Sequence, residues 1–146
     1  MTNTEVDKLE AGRELDALVA EKVMGWNVWR SKYGYFNVEH PDMPSQVSGH
    51  GTERYSPQTG KKLPAPKWWD DWAVDIPMWS TDISAAWEVV EKLDCLQFNL
   101  GRENCAGIRF DAAFYDDLDM KDKVHAMADT VPLAICRAAL KAVQKE

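Results

Sequence analysis

The sequence predicts an α+β fold, a three-layer α-β-α sandwich with a small antiparallel sheet and three main helices. Three observations predict it. The stretch Trp79 to Leu93, WSTDISAAWEVVEKL, joins a run of helix-capping residues to apolar residues at helical spacing. Leu96, Phe98 and Leu100 alternate with Gln97 and Asn99, and Ala106, Ile108 and Phe110 alternate with Gly107, Arg109 and Asp111. That period of two makes a hairpin with one apolar and one polar face. The order of elements is helix, aromatic strands, long loop, helix, hairpin, helix, which stacks most simply with helices on both faces of one sheet.

Size and charge narrow the class. A chain of 146 residues is the length of one domain and supports a core without disulfides or metal. The whole of 1–146 therefore reads as a single domain, with a long Pro/Gly-rich loop at about 40–77. Its 45% hydrophobic and 28% charged content is that of a soluble globular protein. The formal net charge of −7 argues against coating DNA or RNA, because such binding is driven by Lys and Arg displacing counterions from phosphates. One small anionic ligand in a local basic pocket is compatible with it. No apolar run approaches the length of a membrane span. The acidic, polar start MTNTEVDKLEAGRE has neither the basic end nor the apolar core of a signal peptide, so the chain is expected in the cytoplasm.

The three cysteines, Cys95, Cys105 and Cys136, read as free, small core residues. His40, His50 and His125 are not spaced as a zinc set, and CxxC and HExxH motifs are absent, so no metal or cofactor is expected. Five of the seven tryptophans lie between Trp68 and Trp87. An indole combines a large apolar surface with an N–H that needs a partner. Such a density implies core and subunit contacts, or stacking on a planar ligand.

The elements follow in order. Thr4 with Asp7 is a weak capping box ahead of a first helix, from about Glu5 or Gly12 to Met24. Leu15, Leu18, Val19 and Val23 share one face of it, and Gly25 is placed to end it in the left-handed conformation. The segment Trp26 to Val38, aromatic and β-branched with Gly34 near its middle, predicts one or two short strands. Here Trp29 and Arg30 offer an aromatic ring and a guanidinium, suited to a nucleobase and a phosphate, or else strand residues packing under a helix. His40 to Pro77 holds six of the seven prolines and lacks periodicity, which predicts a long excursion with a hairpin around Ser56–Gly60. Arg54, Lys61, Lys62 and Lys67 precede Trp68 and Trp69 there, either closing over an anionic ring-bearing ligand or forming a solvated charged hairpin.

In the second helix Ile83, Ala86, Trp87, Val90 and Leu93 form one apolar stripe, with Glu88 and Lys92 opposite. The hairpin turns at Gly101–Asn104, and Asp111 to Asp129 reads as an acidic, irregular surface connection. Thr130 then caps a last helix with Pro132 in its first turn. Leu133, Ile135, Cys136, Ala138, Ala139, Leu140 and Val143 cover more than one face of it, so it is largely buried or sits at a subunit contact.

Three segments resemble a known family. Leu15 to Trp26 (LDALVAEKVMGW), Trp79 to Leu93 and Thr130 to Val143 (TVPLAICRAALKAV) are similar, in that order, to the small phage and prophage proteins of the phage ABA-sandwich domain family. The resemblance implies the three-layer sandwich, a phage origin and expression in an infected bacterium. It carries over no catalytic motif. The 40–77 loop and the acidic stretch after Phe110 lie outside the three segments.

No enzyme signature emerges. Ser80 and Thr81 lack a GxSxG elbow, and the neighbouring pairs Asp70-Asp71 and Asp116-Asp117 are not spaced as catalytic carboxylates. Gly49-His50-Gly51 is not a phosphate loop. Binding candidates do emerge. Arg109 suits a phosphate and Asn99 a base or ribose edge, unless Arg109 pairs with a nearby aspartate. The helix start at Ser80–Asp82 is either a plain cap or a phosphate site opposed by Asp82.

The expected function, by analogy with small phage proteins that sequester signals of bacterial immune systems such as Thoeris and CBASS, is that of a non-catalytic anti-defence sponge. It would hold a small nucleotide signal, of the cyclic ADP-ribose type or a cyclic oligonucleotide, in the host bacterial cytoplasm as a homo-oligomer. Trp29, Arg30, Trp79, Asn99, Arg102 and Arg109 are the expected ligand-binding residues. The alternative is a protein–protein module that inhibits a host protein through the Trp-rich loop.

Overall fold

The computed structural model describes residues 1–30, 36–40, 43–47, 54–55, 61–63, 76–93, 97–104, 106–116 and 124–144. The chain divides into two compact units, residues 1–24 with 77–146 and residues 25–76. The fold is α+β, with four helices among the described residues and a three-stranded antiparallel sheet in the larger unit.

The larger unit begins with a single helical turn, α1 (Asn3–Val6), and a longer helix, α2 (Arg13–Lys22). The capping box belongs to Thr2 and Glu5 rather than Thr4 and Asp7: the Thr2 hydroxyl accepts the Glu5 N–H, and the Glu5 carboxylate accepts the Thr2 N–H. Glu has the reach for this reciprocal bond and Asp does not. Glu5 is thereby held below the usual carboxylate range, first by those hydrogen bonds. Gly12 separates the two helices as the cap of α2, at a φ of +152°. Gly25 follows α2 at φ +74°, the left-handed position expected of it. Leu15, Val19 and Val23 are buried as their spacing predicts, and Asp16 is buried beside them.

Asp16 explains how α2 is held. Its carboxylate accepts the backbone N–H of Ser80 at 2.8 Å and lies 3.4 Å from the Arg13 guanidinium. The Ser80 hydroxyl in turn accepts the Gly12 N–H at 2.9 Å and donates to the Gly12 carbonyl at 3.3 Å. Ser80 is fully buried. A buried polar group without partners is costly, so this closed exchange fixes the start of α2 against the turn before α3 (Ile83–Lys92). Asp82 caps α3 by accepting the Ser84 N–H at 2.9 Å. The helix start is thus filled by its own side chains, and the phosphate-site reading of Ser80–Asp82 gives way to the capping one.

The sheet is a meander of β6 (Gln97–Asn104), β7 (Ile108–Tyr115) and β8 (Val124–Ala128). Its two pairings are antiparallel, from Gln97 opposite Tyr115 to Asn104 opposite Ile108, and from Phe110 opposite Ala128 to Phe114 opposite Val124. The apolar and polar faces fall as alternation predicts, but the turn does not. Gly101–Asn104 continue β6, and the chain reverses around Ala106, at φ +54°, and Gly107, at φ +122°. Residues 111–115 complete β7 and residues 124–128 form β8, inside the stretch read as an irregular acidic connection. Asp111 and His125 alternate there with Ala112, Phe114, Ala126 and Ala128, so acidic composition concealed a period of two.

α4 (Val131–Gln144) lies on β7 and β8. Pro132, Ala134, Ile135, Cys136, Ala138, Ala139 and Leu140 are all buried, as a helix apolar on several sides requires. Arg137 donates to the Leu9 and Met127 carbonyls, and Lys141 donates to the His125 carbonyl at 3.1 Å while pairing with Asp7 at 2.6 Å. Burial pushes the Cys136 thiol far above its ordinary range, with the Asp16 carboxylate adding to the effect.

The smaller unit holds a five-stranded antiparallel sheet in the order β3-β2-β1-β4-β5. The strands are β1 (Asn27–Arg30), β2 (Phe36–His40), β3 (Met43–Val47), β4 (Arg54–Tyr55) and β5 (Lys62–Leu63). β1 and β2 are the two aromatic strands expected, and β4 and β5 flank the expected Ser56–Gly60 turn, with Arg54 opposite Leu63. β3 lies within the stretch read as a long excursion, outside the one hairpin expected there.

Two expectations follow. Asp16→Ala strands the Ser80 N–H in the core and lowers stability by about 1–3 kcal/mol in urea unfolding. Cys136 keeps its proton in the folded state while the unfolded thiol ionises near its reference value of 9.0. Its contribution is whole below that pH and is lost as pH rises above it, so unfolding free energy falls above about pH 9 with a slope of up to about 1.4 kcal/mol per unit from this group. Cys136→Ala removes that part of the slope, and the folded thiol resists labelling by a disulfide reagent until the chain is unfolded.

Candidate functional site

The six expected site residues do not converge. Trp29 and Arg30 are consecutive positions of β1, opposite Asn37 and Phe36, in the smaller unit, and their side chains lie outside the described residues. The tryptophans of the proposed interaction loop, Trp68, Trp69 and Trp72, also lie outside them. Trp79 is fully buried in the larger unit, where its indole N–H donates to the Glu88 carboxylate at 3.3 Å. Wholly enclosed, the ring has no free face for a ligand. Glu88, read as half of a surface pair with Lys92, instead satisfies that indole.

Asn99, Arg102 and Arg109 all stand exposed on the β6–β7 hairpin. The register sorts them. Gln97, Asn99, Glu103, Arg109, Asp111 and His125 share the polar face, and Phe98, Leu100, Arg102, Ile108, Phe110 and Phe114 share the apolar one. Asn99 and Arg109 therefore lie on one face and Arg102 on the other.

The polar face is of mixed charge. Gln97 donates to the Asn99 side-chain carbonyl at 3.2 Å, and His125 and Asp111 meet at 3.0 Å. Arg109 sits directly opposite Glu103 and two residues from Asp111, which offsets its pull on a phosphate. Gln97, Asn99, Glu103 and Arg109 are exposed, so helices do not bury this part of the face and it has no buried polar groups seeking a ligand.

The apolar face carries Arg102 as its one charged position among the described residues of the sheet. Among the described residues that guanidinium has no hydrogen-bond or ion-pair partner. Further along β6 on the same face, Phe98 packs edge-on against Trp87 of α3, with ring centroids 5.7 Å apart, and at a tilt of 43° against Phe114, at 5.0 Å. Trp87 is 44% exposed, with Ile83 one turn earlier at 43%. The positions from Phe98 to Arg102 span about 13 Å at strand rise. A half-open indole, an aromatic floor and an exposed guanidinium thus line one face of the sheet.

Sequence reasoning missed Trp87, placing it in the buried stripe of α3. The buried positions are Ala86 and Val89, on a helix that packs against α4. A signal was present. The apolar positions run from Ala85 round to Trp87, an arc of about 200° at 100° per residue, wider than one neighbouring helix covers.

Among the described residues no group of three or more His, Cys, Asp or Glu side chains is placed to hold a metal ion. Among them, too, no helix is long and apolar enough to cross a membrane.

Helices gathered over the apolar face of a three-stranded meander define a small α+β sandwich-type domain. The profile of the phage ABA sandwich domain matches residues 17–140, and the chain belongs to that family. A phage protein from Bacillus cereus ATCC 14579, known from a 2.0 Å crystal structure, shares the fold: the two align with a TM-score of 0.52 over 95% of this chain and 94% of that one, at 19% identity. No curated protein matches the chain.

The two exposed and buried indoles give a direct contrast. Trp79→Ala empties a fully buried site and costs about 3–5 kcal/mol of stability. Trp87→Ala loses one edge-on ring contact and half-exposed surface, about 0.5–1.5 kcal/mol. Chemical denaturation of the two variants measures both.

Proposed function

We propose that the protein is a non-catalytic phage anti-defence protein that binds and sequesters a small nucleotide immune signal, of the cyclic ADP-ribose type or a cyclic oligonucleotide, in the host bacterial cytoplasm. One observation carries the reading: the half-exposed Trp87 ring, the Phe98 ring against it and the Arg102 guanidinium, which has no partner among the described residues, lie along one face. A base stacks on an indole for about 1–3 kcal/mol, and a guanidinium pairs with phosphate oxygens in a planar, two-pronged fashion. The pair therefore suits a compact molecule with a ring at one end and a phosphate at the other.

The polar face contributes less, because Glu103 and Asp111 flank Arg109. Asn99, with Gln97 beside it, offers amide groups for a base or ribose edge at the margin of the sheet. Catalysis finds no support in the placement of Ser80, whose hydroxyl is buried and engaged with Gly12. Membership of a phage family supplies the context of an infected bacterium.

The test is capture. Purified protein is incubated with nucleotides from a TIR-activated cell lysate, washed and heat-denatured, and the supernatant is analysed by mass spectrometry. An intact cyclic nucleotide is the expected result. Trp87→Ala and Arg102→Ala each weaken its retention roughly 10- to 100-fold. An empty supernatant contradicts sequestration, and a cleaved or modified nucleotide contradicts the non-catalytic role.

A further inference from the structure

We infer that β6 is an assembly edge: two copies of the chain pair their β6 strands antiparallel about a two-fold axis at Leu100, joining two three-stranded sheets into one of six strands. The inference concerns the surface itself and stands apart from the nucleotide reading.

The two edges of the sheet are treated differently. On β8 the carbonyls of His125 and Met127, two residues apart and so pointing the same way, are taken by Lys141 and Arg137 of α4. That edge is closed by cations from the helix above it. β6, at the other edge, is eight residues long, and every residue but Phe98 is exposed. Exposed edges are ordinarily blunted by lysine, proline, a bulge or a short strand. QFNLGREN contains neither lysine nor proline, and its pairing with β7 runs without a register shift. The strand is also neutral, one Arg against one Glu, in a chain of net charge −7. A neutral strand adds little repulsion between copies.

The occupant follows from the pattern. A two-fold axis perpendicular to the sheet pairs residues on the same face, so only even- or odd-matched registers are open. With Leu100 opposite Leu100, Phe98 meets Arg102 and Gln97 meets Glu103 of the second copy. No like charges oppose one another, an aromatic ring lies against a guanidinium, and the exposed Leu100 pair covers itself. Centring on Arg102 or Glu103 sets like charges face to face. Centring on Gly101 puts Leu100 against Arg102 and leaves no apolar pair. The same axis brings the exposed Ile83 and Trp87 flank of α3 from both copies above the seam, which accounts for apolar surface that α4 leaves open.

The register also places Arg102 of one copy across a single strand spacing from Phe98 of the other, beneath Trp87. The aromatic and cationic groups that lie about 13 Å apart within one chain become immediate neighbours between two.

The test uses the full chain without nucleotide, by light scattering after size exclusion and by sedimentation velocity. The wild type is expected to have the mass of a dimer. Leu100→Lys and Leu100→Glu each halve it, because each opposes its own charge, and mixing the two variants restores it. Ile108→Lys, an equally exposed apolar position on β7, leaves it at the dimer value. Far-ultraviolet circular dichroism verifies that each variant is folded, and Arg102→Glu, which sets a carboxylate in place of the guanidinium against Phe98 of the second copy at both ends of the seam, provides an independent edge variant expected to weaken the dimer at least tenfold. A monomeric wild type at hundreds of micromolar overturns the inference. So does a dimer that survives both Leu100 variants, or a Leu100→Glu variant that stays dimeric alone, the result required by the Gly101-centred register. A monomer that still captures nucleotide leaves the proposed function standing and removes only the edge.

Discussion

The larger unit depends on how α4 is fastened to the sheet. Arg137 reaches in two directions at once, to the Leu9 carbonyl after α1 and to the Met127 carbonyl of β8, and Lys141 does the same with Asp7 and the His125 carbonyl. Both cations are on a helix whose other residues are mostly buried, so their long stems lie in the core while their charged ends find oxygens at its margin. A buried lysine is tolerated only when its charge is matched, and Asp7 together with a carbonyl does so here. Through these contacts one helix ties down the chain's first turn, closes one sheet edge and is held over β7 and β8. What it leaves uncovered is as important. The apolar side of β6, the outer shoulder of α3 and the β6 edge all remain open because α4 is displaced toward β8.

Much of this was legible in the sequence where a single period ruled. Leu15, Val19 and Val23 on α2, the many-sided apolar surface of α4 and the alternation along Leu96–Leu100 each led to the right element, and Gly25 marked a real helix end. The errors have physical causes. Gly101 drew the hairpin turn toward itself, but the strand continues through it and the reversal falls at Ala106 and Gly107, where the backbone enters positive φ. β8 was hidden because the residues before it are acidic and its own alternation, His125 and Met127 against Ala126 and Ala128, is written in small side chains. Ser80 looked like a cap or a phosphate contact, yet its role is set by Gly12 and Asp16, more than sixty positions away. Nothing local announces such a pairing.

For the candidate site the lesson is sharper. Burial, not residue type, decides whether a tryptophan or an arginine is available. Trp79 and Trp87 lie eight residues apart in one segment, one wholly enclosed and bonded to Glu88, the other half open beside Phe98. Arg137 is consumed by carbonyls and Arg102 has no partner among the described residues. Choosing among seven tryptophans by composition alone could not separate these cases. The proposed ligand surface is the part of the apolar face that the helices leave bare, where the half-exposed Trp87 ring and the exposed Arg102 stand.

Native-state amide hydrogen exchange on Arg137→Met tests this account at its centre. If one guanidinium joins the first turn to the sheet edge, the amides of Val6 and Leu9 and those of β8 lose protection together, while those pairing β6 with β7 keep theirs. Loss confined to the first turn, or unchanged protection along β8, would contradict the claim that α4 organises the unit through its cations.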